Sequence, residues 1–457
     1  MQTINQISYG MYILIICVLI LFVGLLMYET NHRGRGALVF FFFLTGGFHF
    51  LKEEWCPIKY TDFALIYLFM VAFINVIKGN IAFFKPQTKI YKIAIIIGIY
   101  VTLEFIRTII LKEEVLKLAL ANYRTYLPFL SFWLVQELKS HEIKQLFRII
   151  TIITIFSIVL YDIQPLINTK IFQHARIDLN NETRYRNIPY LAYFFLLFYT
   201  IKLNIKKPTT YALTLLFVVA IVLTQHRGVM LSYIMCICVY LIISKKGKLL
   251  VQYGVIGLII FFFMGNAILE RFNTKGNDRF NTWSDIKNVV NLDYQNAINS
   301  EYENEGGTLS FRVLLLMERI NYMSKKSSKL LFGLGTRHED SPYTKKHFDF
   351  NIGTHNQKKD TIGQISSSDL VWVDPLMRFG VIGIILLLTL SWLTLKFLYK
   401  ERNSSAVAMG AFLFYLFLIL ISFKNNHLYG NLQLFFIYIL IEYIRNNQYE
   451  IESQKKV

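Results

Sequence analysis

The sequence predicts an all-α polytopic membrane protein of about twelve to thirteen transmembrane helices with one large outer-face loop domain. Three observations carry this. Of 457 residues, 54% are hydrophobic and only 17% are charged, against roughly a quarter charged in a soluble protein. Mean hydropathy is +0.42. The apolar residues gather into long runs parted by short charged loops, which is the pattern of repeated membrane spans and excludes a soluble enzyme with a single core. The net charge of +18 is then no sign of a nucleic-acid partner, because Lys and Arg collect in cytoplasmic loops.

In chain order the runs are about 11–28, 37–51, 61–77, 90–111, 116–135, 146–164, 188–203, 209–224, 229–244, 249–268, 375–398, 405–422 and 431–444. A helix of roughly 18–20 residues rises about 27–30 Å and crosses the hydrocarbon. The runs 37–51 and 431–444 are shorter, so they need their flanks or a re-entrant path. The first run lacks a preceding basic residue and a following small-residue cleavage site, and is expected to remain as a helix and not to be a signal peptide. Of the cysteines, Cys17, Cys236 and Cys238 lie inside apolar runs and Cys56 outside, which leaves no disulfide framework. Cys236 and Cys238 point to different faces of a helix and suit no metal site.

Loop charges alternate. One set is basic: Arg33 and Arg35; Lys78, Lys85 and Lys89; Lys139 and Lys144; Lys202, Lys206 and Lys207; Lys245, Lys246 and Lys248; Lys400 and Arg402; Lys455 and Lys456. The other set, at 52–59, 112–117, 165–187, 225–228 and 423–430, is mixed or nearly neutral. The positive-inside rule assigns the first set to the cytoplasm. The chain then divides into an N-terminal transmembrane bundle (1–268), an extracytoplasmic loop domain (269–374), and C-terminal transmembrane helices with a short cytoplasmic tail (375–457). The loop is far longer than an ordinary connection, and its stretch 309–323 has helix-like apolar spacing. It shows no internal repeat.

For chemistry, several motifs are missing: a P-loop, a GxGxxG after a strand, HExxH, CxxC, and an Asp-x-Asp of the kind that holds a metal–nucleotide sugar. The run Glu301, Glu303, Glu305 could attract a cation, but next to Gly306 and Gly307 it reads more simply as a solvated loop. Arginines at membrane boundaries are more informative. Arg227, with His226 beside it, lies in a break of about four residues between two apolar runs, on the side where a basic residue is unexpected. Arg124 lies near the outer end of its run, and Arg184 and Arg186 just before the next. Arg312 and Arg319 are seven apart on the loop helix and so share a face. Guanidinium forks bind phosphate oxygens bidentately and stay charged, which suits a lipid-linked pyrophosphate. A single arginine more simply snorkels to headgroups or pairs with a loop carboxylate; for Arg227 in its tight interhelical break function is favoured, with an ion pair to a loop carboxylate such as Glu318 as the alternative. Where the loop returns to the membrane stand Asp369 and Asp374; Asp374 before Pro375 fits a helix N-cap, whereas Asp369 has no such simple role.

With these residues in hand, the chain resembles the bacterial O-antigen polymerases and O-antigen ligases. The likeness rests on the Arg–Gly pair Arg227–Gly228 in LTQHRGVMLS, Arg312 in TLSFRVLLLMERI, the Gly-x-Gly Gly333–Leu334–Gly335 in LLFGLGTR, and RFGVIGIILLL with Gly380 and Gly383. It covers roughly 190–400 by motif and the first half by hydropathy alone. One departure matters. Ligases of the family carry a His–Asn pair about eleven residues before the first glycine of the last motif, and here that position is Asp369–Leu370. His355–Asn356 lies fourteen residues too early, and His338 is earlier still. The polymerase branch is therefore favoured.

The resemblance implies an integral-membrane, GT-C-like glycosyltransferase that is metal-independent, inverting and without cofactor. It would transfer a sugar chain from undecaprenyl pyrophosphate to a lipid-linked repeat unit at the outer face of the bacterial cytoplasmic (inner) membrane. It implies Asp369, Arg227 and Arg312 as catalytic residues, and Arg227, Arg312, Arg184, Arg186 and Arg124 as pyrophosphate ligands. His226, Arg319, His338 and His355 are further candidates, and no residue is assigned to a metal. Implied partners are the undecaprenyl-pyrophosphate-linked oligosaccharide, membrane lipids, and a chain-length regulator and a flippase of the same pathway; nucleic acid is not among them. The polymer could be O-antigen, capsule or exopolysaccharide. One rival is a ligase that transfers finished polymer to lipid A core. A lipid-linked oligosaccharide flippase is the other, and the hundred-residue loop and absence of related halves speak against it.

Overall fold

The computed structural model describes residues 2–245 and 308–455, apart from short stretches at 31, 112–113, 168, 170, 173–175, 180–181, 186–187, 190, 204–206, 225, 354, 357–360, 368–369 and 424–426. The predicted all-α membrane fold is what it shows. The first half runs α1 (Gln2–Glu29), α2 (Arg33–Leu44), α3 (Tyr60–Ile77), α4 (Lys89–Ile110), α5 (Leu116–Tyr123), a 3-10 segment (Leu127–Leu134) and α6 (Ser140–Ile167). A hairpin of β1 (Arg176–Leu179) and β2 (Glu182–Tyr185) follows, then α7 (Ala192–Ile201), α8 (Pro208–Leu223) and α9 (Arg227–Ser244).

Among the described residues, five helices are long and apolar enough to cross a membrane: Gly10–Glu29, Tyr60–Ile77, Lys89–Ile110, Ser140–Ile167 and Val373–Glu401. Shorter apolar helices fill most of the other predicted runs, and 249–268 lies outside the described residues. Two runs differ from expectation. The run 116–135 is broken: Pro128 brings no N–H at the start of the 3-10 segment, and the break at Arg124–Tyr126 sits at one end of the bundle. The run 37–51 stops being helical at Leu44, because Gly46, Gly47, Phe48 and His49 all take positive φ.

The alternation of loop charges is realised as two ends. At one end Arg33 meets Glu137 at 3.1 Å, Lys78 meets Glu29, Arg445 meets Glu442 at 2.6 Å, and Gln448 meets Glu401. At the other, Arg124 meets Asp62 at 2.7 Å, and the His338 N–H donates to Glu114 at 3.0 Å. Basic loops thus gather together and mixed loops gather opposite them. Between the ends lies a continuous apolar core, in which Phe194 and Phe195 of α7 interlock with Phe436.

The described part of the loop holds α10 (Thr308–Ser324), matching the helix predicted at 309–323, then α11 (Ser327–Phe332), α12 (Pro342–His347) and the two-residue strands β3 (His355–Asn356) and β4 (Thr361–Ile362). It has a small core of its own, built from Leu314, Leu315, Phe348, Phe350 and Ile365, which includes Val373 and Met377 of the next helix. The chain ends with α13 (Val373–Glu401), α14 (Ala406–Ile421) and α15 (Asn431–Lys455), the last extending well past the predicted 431–444.

Candidate functional site

The two glycine motifs, apart in sequence, meet at the mixed-loop end of the bundle. Gly333 adopts φ 75°, ψ −166° and Gly380 adopts φ 61°, ψ −160°, a region that only glycine occupies readily. The two stand backbone to backbone. A Cβ on Gly380 would come within 2.5 Å of Leu331 O and 2.6 Å of Gly333 N, and one on Gly333 within 2.5 Å of Phe379 N. Leu334 N–H donates to Met377 O at 2.8 Å, and Gly335 N–H to Arg378 O at 2.9 Å. From α4, Arg107 Nη2 donates to Gly333 O at 3.1 Å, Tyr100 donates to Phe379 O at 2.9 Å, and Thr108 Oγ1 accepts from Thr336 N–H at 3.1 Å. The Gly-x-Gly loop is therefore a joint that ties the loop, the kinked start of α13 and α4 together. Its N–H groups from Gly333 to His338 are all engaged within the protein, so it does not form a phosphate cradle.

A polar knot continues from this joint. Arg337 donates from Nε to Leu334 O at 2.8 Å and stacks over Tyr343 at 3.3 Å, and burial pushes its guanidinium below the ordinary arginine value. Glu339 accepts the N–H groups of Gln364, Ile365 and Ser366 in succession. Arg378, nearly fully buried, pairs with Asp374 at 3.0 Å and donates to Ser366 Oγ at 3.0 Å, while Tyr126 also donates to Asp374. Asp374 is consequently not the N-cap that its place before Pro375 suggested; α13 begins at Val373, two residues before Pro375, and the carboxylate pairs one turn forward. Arg107, Arg337, Glu339 and Arg378 were not singled out from sequence. For Arg337, Glu339 and Arg378 the sequence signal was closeness to the glycine motifs; Arg107, 226 residues from Gly333, carried none.

The predicted arginines separate into groups. Arg124 is held by Asp62, 62 residues earlier, so the loop-carboxylate alternative describes it. Arg319 is 1% exposed: it pairs with Glu318, donates to Gly363 O at 3.0 Å and stacks over Phe350 at 4.3 Å. Burial pushes Arg319 down to about 10 and Glu318 above its usual range, while their mutual attraction and the N–H groups of Asn351 and Ile352 act the other way. Arg319 is thus a strut of the loop core, and Glu318 is committed to it rather than to Arg227. Arg312, one turn into α10, is half-buried. Arg184 stands in β2, opposite Ile177, and Arg186 lies outside the described residues.

Of the histidines, His338 accepts the Asp340 N–H on Nδ1 at 3.1 Å, and burial lowers its affinity for a proton against the pull of Asp340. His355 is in β3, paired with Ile362, and His226 is the residue before α9. Asp369 and the Glu301–Glu305 run lie outside the described residues.

Arg227 heads α9, and its level in the bundle follows from helix register. Cys236 Sγ of α9 lies 3.6 Å from Leu413 O of α14. The helices run antiparallel, and nine residues separate Cys236 from Arg227 and Leu413 from Ser422. That is roughly 13 Å of helix on each, so Arg227 and Ser422 reach the same height. Ser422 O accepts the Val371 N–H at 3.3 Å, and Ser422 Oγ accepts from Trp372 Nε1 at 3.3 Å. The Arg–Gly pair and the segment just after Asp369 thus share one end of the molecule. His427 is nearby in the loop after α14, its ring 6.5 Å from Tyr193; burial lowers it to about 4, so it is neutral.

Residues 212–388 match the family model described as O-antigen ligase. That match spans less than half of the chain and supports a likeness to the O-antigen polymerase/ligase superfamily. The matched stretch begins in α8 and ends in α13, so it contains Arg227–Gly228, Arg312, the Gly-x-Gly and the Gly380 kink. A search of curated proteins finds no match. Members of that superfamily are glycosyltransferase-like membrane enzymes.

Proposed function

We propose that this chain is a repeat-unit polysaccharide polymerase. An undecaprenyl-pyrophosphate-linked chain is the donor, and a sugar hydroxyl on a second lipid-linked unit is the acceptor. The observation that carries the reading is that the Arg227 helix start and the Val371–Trp372 segment lie at the same end of the bundle, level with Ser422. The hydroxyl oxygen attacks the anomeric carbon as the bond to the lipid pyrophosphate breaks, with inversion. The electron pair leaves on a phosphate oxygen, and Arg227, with Arg312, neutralises that growing charge in a poorly hydrated site. Asp369 accepts the proton as general base.

Two features favour polymerase over ligase. The ligase His–Asn position is Asp369–Leu370 here. The nearest His–Asn pair is tied into the β3–β4 hairpin. The test is purified chain with a lipid-linked repeat unit, without nucleotide sugar or divalent metal, scored for chain extension. Extension is expected. Transfer only to lipid A core, with no extension, would make it a ligase.

A further inference from the structure

The short loop helix α11 changes character along its length. Lys325, Lys326, Ser327 and Ser328, which lead into it, are polar and exposed. Lys329 keeps its amine on the Tyr322 hydroxyl at 2.9 Å. Leu330 then turns into the loop core, whereas Leu331 and Phe332 stay 45% and 42% exposed. Two adjacent large apolar side chains left open at a helix end forgo hydrophobic stabilisation in water, so what faces them matters. Residues 320–337 carry Lys325, Lys326, Lys329 and Arg337 and no carboxylate, so the polar half of this segment favours an anionic surface.

Depth identifies that surface. A Cβ on Gly380 would come within 2.6 Å of Leu330 O and 2.5 Å of Leu331 O, so the end of α11 stands against α13 at Gly380. Gly380 is five residues past Pro375, where the apolar run of α13 begins, which is roughly 7.5 Å along the helix. On the other side, a Cβ on Gly335 would meet Thr108 Oγ1 and come within 3.5 Å of Glu104 O, both in α4. Thr108 is three residues, about 4.5 Å, before Leu111, where that apolar run stops. Leu103, Ile106 and Ile110 of α4, and Ile385 and Leu388 of α13, are the exposed apolar rows that these two spans turn to lipid. Each span independently sets the end of α11 below the level at which its own apolar run gives out. The lysines lie one length of this six-residue helix away, up to about 9 Å. Long basic side chains that close an apolar segment in this way reach for headgroup phosphates.

We propose that α11 anchors the loop in the bilayer: Leu331 and Phe332 enter the hydrocarbon of the leaflet on the mixed-loop side, and Lys325 and Lys326 meet the phosphates of its phospholipid headgroups. This stands independently of the polymerase reading. It gives the Gly333–Gly380 joint a second hold, because lifting the loop from α13 would draw two apolar side chains into water.

The test keeps the full chain in phospholipid nanodiscs. A photoactivatable diazirine in the lipid acyl chain marks what touches hydrocarbon. In the unaltered protein, the tryptic peptide Leu330–Arg337 should carry the adduct alongside Phe379–Lys396, which comes from the transmembrane part of α13. Adducts on Phe379–Lys396 with none on Leu330–Arg337 would overturn the proposal. A nitroxide label then reports depth in Leu331→Cys, Phe332→Cys, Lys325→Cys and Lys326→Cys, each in a Cys238→Ala background because the other three cysteines are buried. At 331 and 332, dissolved oxygen, which concentrates in hydrocarbon, should relax the label more than a water-soluble nickel complex does. At 325 and 326 the order should reverse. Nickel ahead at 331 and 332 would put α11 in water. Little access by either reagent would mean that protein covers it, whether another part of this chain or a second copy. Oxygen ahead at all four positions would remove the lysines from the headgroups. Any of these three results would refute the anchor as stated.

Discussion

Replacing Gly333 or Gly380 with alanine should open the joint between the loop that precedes α13 and α13 itself. Both glycines lie in a backbone region where other residues pay of order 1–3 kcal/mol. The added methyl also has nowhere to go. At Gly380 it would stand 2.5 Å from Leu331 O, and at Gly333 2.5 Å from Phe379 N. These obstacles are main chain, so relief requires the two segments to separate, with loss of the Leu334–Met377 and Gly335–Arg378 hydrogen bonds at about 1 kcal/mol each. Each substitution should therefore cost about 3 kcal/mol or more. Gly79→Ala is the control: its φ is +66° but nothing lies within 4 Å, so only the backbone penalty of roughly 1–2 kcal/mol applies. The assay is denaturant unfolding in mixed micelles, with protease sensitivity of the 333–348 segment as a local readout. The Gly333→Ala, Gly380→Ala double variant should lose clearly less than the sum of the single losses, because the second methyl enters a joint already opened. If Gly333→Ala and Gly380→Ala cost no more than Gly79→Ala, or if their effects simply add, the backbone-to-backbone joint is wrong.

Arg227→Ala should abolish chain extension at normal protein abundance, and Arg227→Lys should recover little, since one ammonium cannot reproduce a bidentate fork on phosphate; normal chain length in a well-expressed variant would remove the arginine from the mechanism. Arg319→Ala should destabilise the loop by about 3–5 kcal/mol by leaving Glu318 buried and unpaired, read as faster proteolysis within 308–367. Unchanged proteolysis would show that the pair is dispensable. His427 is held neutral with its folded value near 4, below the unfolded 6.5. Its contribution to stability is thus complete above pH 6.5 and is lost as pH falls towards 4, at up to roughly 1.4 kcal/mol per pH unit. His427→Gln should flatten the unfolding curve across that window, and an unaltered pH dependence would mean that another group titrates there.

The sequence by itself determined the membrane class, most of the helical runs and the sorting of loops to two ends. Each follows from local rules: a chain in hydrocarbon must satisfy its own backbone, so spans appear as continuous apolar runs, and loop charge is set loop by loop. The loop helix at 309–323 was legible for the same reason, since its apolar period is written within a few turns. Glycine motifs and boundary arginines could be found as residues but not assigned roles. Only the tertiary structure decided that the Gly-x-Gly is a joint with spent N–H groups, that Arg124 belongs to Asp62, and that Arg319 belongs to Glu318 and Phe350. It also decided that Tyr126 and Arg378 converge on Asp374, and that Glu339 gathers three N–H groups from 364–366. The physical reason is one of distance along the chain. An arginine's charge is fixed by its chemistry, but whether that charge is spent on a carboxylate or kept for a phosphate depends on which partner the fold brings within about 3 Å, and those partners lie anywhere from one residue to several hundred away.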